Sequence, residues 1–140
     1  MLYPLMFRLG QRLHNPTLGN VPDTVDAELS KLNLRRKVKP GDTVAITCGS
    51  RAIANYAVII KAIVDHLKKL KVTPFLVPAM GSHGGGTAEG QRELLHSLGI
   101  TEKVTGAEIV RSNTKWSEID RHCLRKLLQA ALECDISRVA

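Results

Sequence analysis

Apolar residues in the middle of the chain fall alternately into short runs and into helical repeats. Residues 43–47 form a nearly unbroken β-prone run, which is typical of a strand covered on both faces. From residue 53 to about residue 70, apolar side chains recur every three to four positions, as on the inner face of a helix. Residues 73–78 form the next predicted strand, with prolines where a missing N–H donor is tolerated. The inner face of the predicted helix comprises Ile53, Ala57, Ile60, Val64 and Leu67.

The same alternation continues after the second strand. A glycine-rich loop, residues 81–87, leads into a predicted helix over residues 88–98, which Gly99 ends. Strand, helix, strand and helix in succession require a parallel sheet with crossover connections. The sequence therefore predicts an α/β fold, an open parallel sheet of βαβα (Rossmann-like) units with helices on both faces. The inward-facing leucines of the second helix are Leu94, Leu95 and Leu98.

The start of the chain lacks a regular pattern. Asn15-Pro16 and Gly19-Asn20 interrupt it, so we expect an irregular arm over residues 1–20 and a single α/β domain over residues 21–140. The domain opens with a predicted helix, for which Asp23 is the expected cap. The apolar stripe of this helix is Val25, Leu29 and Leu32.

The pattern is weaker after Gly99. Residues 107–110 are predicted to form a further strand, and residues 121–133 carry leucines at helical spacing. Residues 135–140 begin like another strand, and the sequence given stops there. We therefore expect a truncated form of the α/β domain.

Composition and charge fit this picture and narrow the function classes. The 140 residues are 44% hydrophobic and 24% charged, as in an ordinary globular domain. The net charge is +7, but the basic residues are dispersed and are densest near predicted helix ends, where cations complement the helix dipole. Aromatic residues are only 4%, so stacking platforms for single strands are scarce. We therefore expect no nucleic-acid partner.

Neither a membrane span nor a disulfide framework is predicted. No apolar run approaches the ~20 residues that a spanning helix needs. The apolar start, residues 1–7, lacks a basic segment before it, so we expect it to pack on the domain or on a partner, which leaves a homo-oligomer open. Cys48, Cys123 and Cys134 are odd in number and form no Cys-x-x-Cys pair. Free thiols in a cytoplasmic protein are the expected state.

Two predicted loops lie where parallel sheets bind ligands, beyond the carboxyl ends of the strands. Residues 48–51 follow the first strand, and residues 81–87 follow the second. The glycines of the second loop expose backbone amides beside a helix start, an arrangement that attracts phosphate or carboxylate. His83 can exchange protons near neutral pH, and the guanidinium of Arg51 suits a carboxylate.

Each of these signals has a plainer interpretation. A glycine-rich turn is often only a tight connection, and the dinucleotide-binding spacing Gly-x-Gly-x-x-Gly is absent. His83 is then an exposed loop histidine, and Cys48 is a small buried thiol rather than a reactive one. Arg51 near a helix start opposes the helix dipole, which favours a functional role for it. The remaining histidines are expected on the surface, with no role: His14, His66, His96 and His122.

Three segments of the chain resemble a known family. They are residues 41–51, residues 74–85 and residues 87–91, and together they are similar in order and spacing to the N-terminal domain of lactate-racemase-like proteins. The similarity is strongest between about residues 40 and 112. Enzymes of that family racemise or epimerise 2-hydroxy acids by hydride transfer to a nickel pincer nucleotide, which is tethered through a lysine.

The resemblance implies roles for individual residues. His83 corresponds to a histidine that acts as an acid/base group at the substrate hydroxyl. Ser50 and Arg51 correspond to a pair that binds the anionic substrate or the cofactor. The partner would thus be a small 2-hydroxy acid or another small anion. Further binding residues in the second loop would be Gly81, Ser82, Gly84 and Gly85.

The chain also departs from the family pattern. Cys48 stands where the best-characterised branch has an aspartate, and Gly84 stands where that branch has an arginine. The tethering lysine, the second catalytic histidine and the C-terminal domain have no counterpart in the 140 residues, so we expect this chain to be inactive alone. The alternatives are a non-catalytic phosphate- or carboxylate-binding α/β module and a degenerate remnant of the family.

Overall fold

Three parallel strands form the centre of the protein. The computed structural model describes residues 8–10, 18–50 and 53–110. The strands lie in the order β1-β2-β3, and both pairings are parallel. Their bounds are Thr43–Cys48 for β1, Thr73–Pro78 for β2 and Glu108–Ile109 for β3.

Helices alternate with these strands, so the predicted α/β class and the open parallel sheet are confirmed. In the part of the chain that the structure describes, no helix is long and apolar enough to cross a membrane. The other predicted segments, residues 1–7, 11–17 and 111–140, lie outside the described residues. The helices are α1 (Val21–Lys31), α2 (Tyr56–Lys69), α3 (Ala88–Ser97) and α4 (Glu102–Thr105), with a 3-10 turn at Leu34–Arg36 and a glycine-rich turn at His83–Gly86.

The core lies between the sheet and the two longer crossover helices. Leu76 in β2 packs in one cluster with Val64 of α2 and Leu95 of α3. Each such large side chain contributes roughly 1.5–3 kcal/mol relative to its exposed state. On the opposite face of the sheet, Ala45 and Val77 are also buried. Thr43, Thr47 and Thr73 on that same face are exposed, so the second face is covered only in part.

The first helix begins under a different cap from the predicted one. Asn20 accepts a hydrogen bond from the backbone N–H of Asp23 at 3.2 Å, and its amide donates to the Asp23 carboxylate at 2.5 Å. Asn20 is therefore the N-cap, and the prediction of Asp23 was wrong. An N-cap side chain reaches the N–H three residues ahead, so the cap must precede the first turn.

The second helix starts later than its hydrophobic pattern indicates. Asn55 has φ 58°, ψ 26°, in the left-handed region, and the helix begins only at Tyr56. A left-handed residue cannot belong to a right-handed helix, so Ile53 lies outside it and its side chain is 52% exposed. The rest of the predicted inner face holds, since Ile60, Val64 and Leu67 are buried.

A polar contact joins α1 to α2. The Asp26 carboxylate oxygen Oδ1 lies 2.9 Å from His66 Nδ1 and 2.9 Å from Lys69 Nζ. His66 is buried, so its predicted surface position was wrong; its polar atom is satisfied by a residue 40 positions away. His96, in contrast, is exposed as predicted. The hydrogen bond from Lys69, and next that from His66, lower the pKa of Asp26.

This contact predicts a pH-dependent contribution to stability. Because folding lowers the pKa of Asp26 below its usual value of 3.8, its contribution is present above that pH and is lost as the pH falls through the folded-state pKa. We expect Asp26→Asn to lower the melting temperature at pH 7 and to match the wild type at pH values well below the usual pKa. Thermal unfolding followed by circular dichroism at several pH values measures both.

The matched control is Asp65→Asn, which removes a carboxylate that pairs with Lys61 inside α2 and joins no second element. Its effect on the melting temperature should be small, as for other exposed ion pairs within one helix. If Asp26→Asn lowered the melting temperature by the same amount at acidic pH as at pH 7, the assigned role of Asp26 would be contradicted.

Candidate functional site

The loops after β1 and β2 meet at one edge of the sheet. The register pairs Cys48 with Pro78, the last residues of the two strands, and Ala79 N–H donates to the Cys48 carbonyl at 2.8 Å. Beyond this point Ser50 Oγ lies 2.5 Å from His83 Nδ1, although the two residues are 33 positions apart. Two of the predicted site residues are thus in direct contact.

The contact leaves His83 suited to moving protons. Its side chain is exposed, and that of Ser50 is half-buried. A serine hydroxyl both donates and accepts, so it can donate to Nδ1 of a neutral imidazole or accept from Nδ1–H of a charged one. Ser50 contacts Nδ1 of the ring and leaves the other ring nitrogen, Nε2, for contact with another molecule. The pair therefore accommodates both protonation states through which a general acid/base passes.

The glycines of the second loop form a left-handed turn next to His83. Gly84, Gly85 and Gly86 have φ values of 63°, 69° and 66°. Other residues adopt this conformation only at a cost. Gly84 also packs against the backbone of α3, because a Cβ there would lie 2.5 Å from the carbonyl carbon of Gly90. Gly84 thus has a structural reason to be glycine, apart from any ligand.

Two side chains of the following helix segment hold this loop. Gln91 is buried, and its Nε2 donates to the Gly81 carbonyl at 2.7 Å. Thr87 Oγ1 donates to the Gly84 carbonyl at 3.2 Å and accepts the Gly90 N–H at 3.1 Å. One amide at the start of α3 is therefore already satisfied by the protein, which reduces the predicted capacity of this helix end to bind an anion.

The other predicted residues of the second loop are placed as follows. Gly81 and Ser82 are exposed, next to His83. Gly85 is exposed, with open space where a Cβ would stand. Arg51 lies outside the described residues, so its role in binding an anion stays a prediction.

The first loop rests on a buried tyrosine that the sequence did not single out. Tyr56 Oη accepts the Gly49 N–H at 2.9 Å, and the same hydroxyl lies 3.5 Å from the Gly49 carbonyl oxygen. Burial, and next the neighbouring Cys48, raise the pKa of Tyr56 to about 12. The hydroxyl is therefore neutral at physiological pH. Only its position at the start of a helix, directly after a candidate ligand-binding loop, could have drawn attention to it.

Cys48 lies at the end of β1 beneath this loop and is fully buried, as predicted. Burial raises the pKa of its thiol to about 11. The thiol is thus neutral at physiological pH and acts in packing.

Metal ligands are missing from the described part of the site. Residues 8–10, 18–50 and 53–110 contain no group of three or more histidine, cysteine, aspartate or glutamate side chains that could hold a metal ion. The described residues of the site thus offer a group for proton transfer, and the nickel pincer nucleotide stays a prediction.

Comparison with known proteins yields no relative. No family model, no curated protein and no solved structure matches the chain. The fold is therefore established by the structure alone, and the family resemblance stays a prediction.

The close approach of Gly84 to α3 predicts unequal effects for two neighbouring substitutions. Gly85→Ala should cost about 1 kcal/mol of unfolding free energy, through backbone strain alone. Gly84→Ala adds a clash with the Gly90 backbone and should cost at least about twice as much. Urea unfolding of both variants measures the difference. Equal losses would show that the contact between Gly84 and Gly90 is looser than described.

The raised pKa of Cys48 predicts a slow thiol. In a Cys123→Ser, Cys134→Ser background, the shift from 9.0 to about 11 lowers the thiolate fraction about 100-fold at neutral pH. We expect iodoacetamide to react at least about 100-fold more slowly with the folded protein than with the protein in denaturant, because burial limits access to the thiol as well as lowering its thiolate fraction. Similar rates in both states would place the thiol at the surface.

Proposed function

We propose that the chain is the N-terminal unit of a lactate-racemase-like protein, in which His83 is an acid/base group at the hydroxyl of a 2-hydroxy acid. The contact between Ser50 Oγ and His83 Nδ1 is the observation that carries the proposal. These residues belong to two of the three segments that resemble the family, and they lie together at the edge where parallel sheets bind ligands.

The proposed chemistry divides between this chain and the cofactor. His83 takes the hydroxyl proton from the substrate as C2 loses hydride, and it returns the proton when the alcohol forms again. When bound, the nickel pincer nucleotide would supply the hydride acceptor and donor that the reaction needs. Arg51, directly after Ser50 in the chain, holds the substrate carboxylate.

A binding module without catalysis is the alternative that the site supports less well. Such a module depends on the backbone amides at the start of α3, and one of these, the Gly90 N–H, already donates to Thr87 Oγ1. An exposed imidazole held by a serine adds little to phosphate binding, whereas it suits proton transfer. Saturable binding of inorganic phosphate without nickel, together with a lack of response to lactate, would favour the module.

The proposal is tested with the product of the gene at its encoded length, produced in cells that make the nickel pincer nucleotide. We expect this protein to bind nickel and to interconvert the enantiomers of lactate or of a related 2-hydroxy acid. His83→Ala should lower the rate at least about 100-fold, the range in which general acid/base groups contribute. Enantioselective chromatography of the product measures the conversion.

The matched control is His96→Ala, which removes an exposed histidine of α3. It should leave the rate within about twofold of the wild type, since most exposed positions outside a site have small effects. A protein that takes up no nickel, or that keeps its full rate after His83→Ala, would refute the proposed role.

A further inference from the structure

The hydroxyl of Tyr56 supports the loop that carries Ser50 by binding the backbone of that loop. Tyr56 is the first residue of α2, and its side chain is only 8% exposed. Its hydroxyl accepts the N–H of Gly49 at 2.9 Å and lies 3.5 Å from the carbonyl oxygen of the same residue. The hydroxyl thus contacts both polar groups of Gly49, the residue that immediately precedes Ser50.

We propose that Tyr56 is a positioning residue for the pair of Ser50 and His83, acting through the backbone of Gly49. The importance of this role for catalysis rests on the proposed function of His83, while the positioning itself is a property of the described structure. The hydroxyl of Tyr56 hydrogen-bonds to Gly49 and to neither member of the pair, so Tyr56 is not a catalytic residue.

The geometry gives the reason. Gly49 lies between the end of β1 and Ser50, so rotation about its backbone bonds moves Ser50 Oγ. The contact of that oxygen with His83 Nδ1 is 2.5 Å long, and a displacement of Ser50 by about 1 Å away from the ring takes it beyond hydrogen-bond distance. The opposite loop is fixed in the same manner, because buried Gln91 donates to the Gly81 carbonyl at 2.7 Å. Both partners of the contact are thus supported by a side chain of the helix that follows.

The hydroxyl of Tyr56, rather than its ring, carries this role. The ring packs in the core with Ile60 and Leu76, and phenylalanine would keep that packing. Tyr56→Phe removes the hydroxyl that accepts the Gly49 N–H and contacts the Gly49 carbonyl, and it leaves this part-buried amide without its acceptor. The substitution therefore separates positioning from core packing.

The test uses the state of the His83 ring, observed by ¹⁵N NMR of the imidazole nitrogens, which report the tautomer and the hydrogen bond at Nδ1. We expect the wild type to show one dominant tautomer and Tyr56→Phe to change the ratio at least about threefold toward that of free histidine. Ser50→Ala should produce the same change. In the double variant, the tautomer ratio of His83 should stay close to that of Ser50→Ala alone, because both substitutions act through the same contact.

The matched control is Thr105→Val, which also removes one buried hydroxyl. Thr105 belongs to α4 and lies near the end of α2 opposite to Tyr56, where Lys68 Nζ donates to the Gly106 carbonyl oxygen. Thr105→Val should lose about as much stability as Tyr56→Phe, and the imidazole ¹⁵N signals of His83 should stay unchanged. A wild-type tautomer ratio in Tyr56→Phe, or an equal change in Thr105→Val, would overturn the proposal.

A second measurement needs no variant. The Gly49 amide of the wild-type protein should exchange with deuterium slowly if Tyr56 holds it, and exchange as fast as an exposed loop amide would overturn the proposal even if Tyr56→Phe did not fold. In the cofactor-loaded protein, Tyr56→Phe should lower kcat about tenfold with little change in KM. Absence of any racemase activity would refute the proposed function while the NMR and exchange results still decide on Tyr56.

Discussion

The parallel register of β1 and β2 is the constraint on which the rest of the structure depends. It sets the last residues of both strands side by side, so that the loops carrying Ser50 and His83 leave the sheet at the same level. A slip of one residue would displace one loop by about 3.3 Å and turn the alternating side chains to the opposite face. The 2.5 Å contact between Ser50 and His83 would not survive such a displacement. The apolar burial that fixes the register therefore also fixes the site.

The hydrophobic pattern predicted the elements that depend on local periodicity and failed where a single backbone conformation decides. Residues 73–78 form a strand with the predicted bounds, because an apolar run between prolines has few alternatives. The start of α2 was placed too early, since a left-handed asparagine leaves no trace in hydrophobic spacing. The burial of His66 was missed for another reason. Its partner Asp26 is 40 positions away, and only the packing of α1 on α2 brings the two together.

The candidate site was predictable in outline for a similar reason. Gly81, His83 and the glycines that follow interrupt the pattern at the end of a strand, and topology then brings the preceding loop beside them. The supports of these loops were not predictable. Tyr56 and Gln91 occupy buried helix positions that spacing alone assigns to packing, and their polar atoms acquire partners only when the chain folds. Sequence patterns therefore locate the reacting groups more readily than the side chains that hold them.

The glycine-rich turn combines two different requirements. Gly84 must be glycine because the backbone of α3 leaves no room for a Cβ, and this contact holds the turn against the helix. Gly85 and Gly86 face open space and need glycine only for their positive φ. Gly84 thus supports the turn, while Gly85 and Gly86 leave the space beside His83 free of side chains. The proposed small anionic substrate would need such clearance to approach the imidazole, since proton transfer requires heavy atoms within hydrogen-bond distance. In the proposed function, the same turn would serve both the packing of α3 and the access to His83.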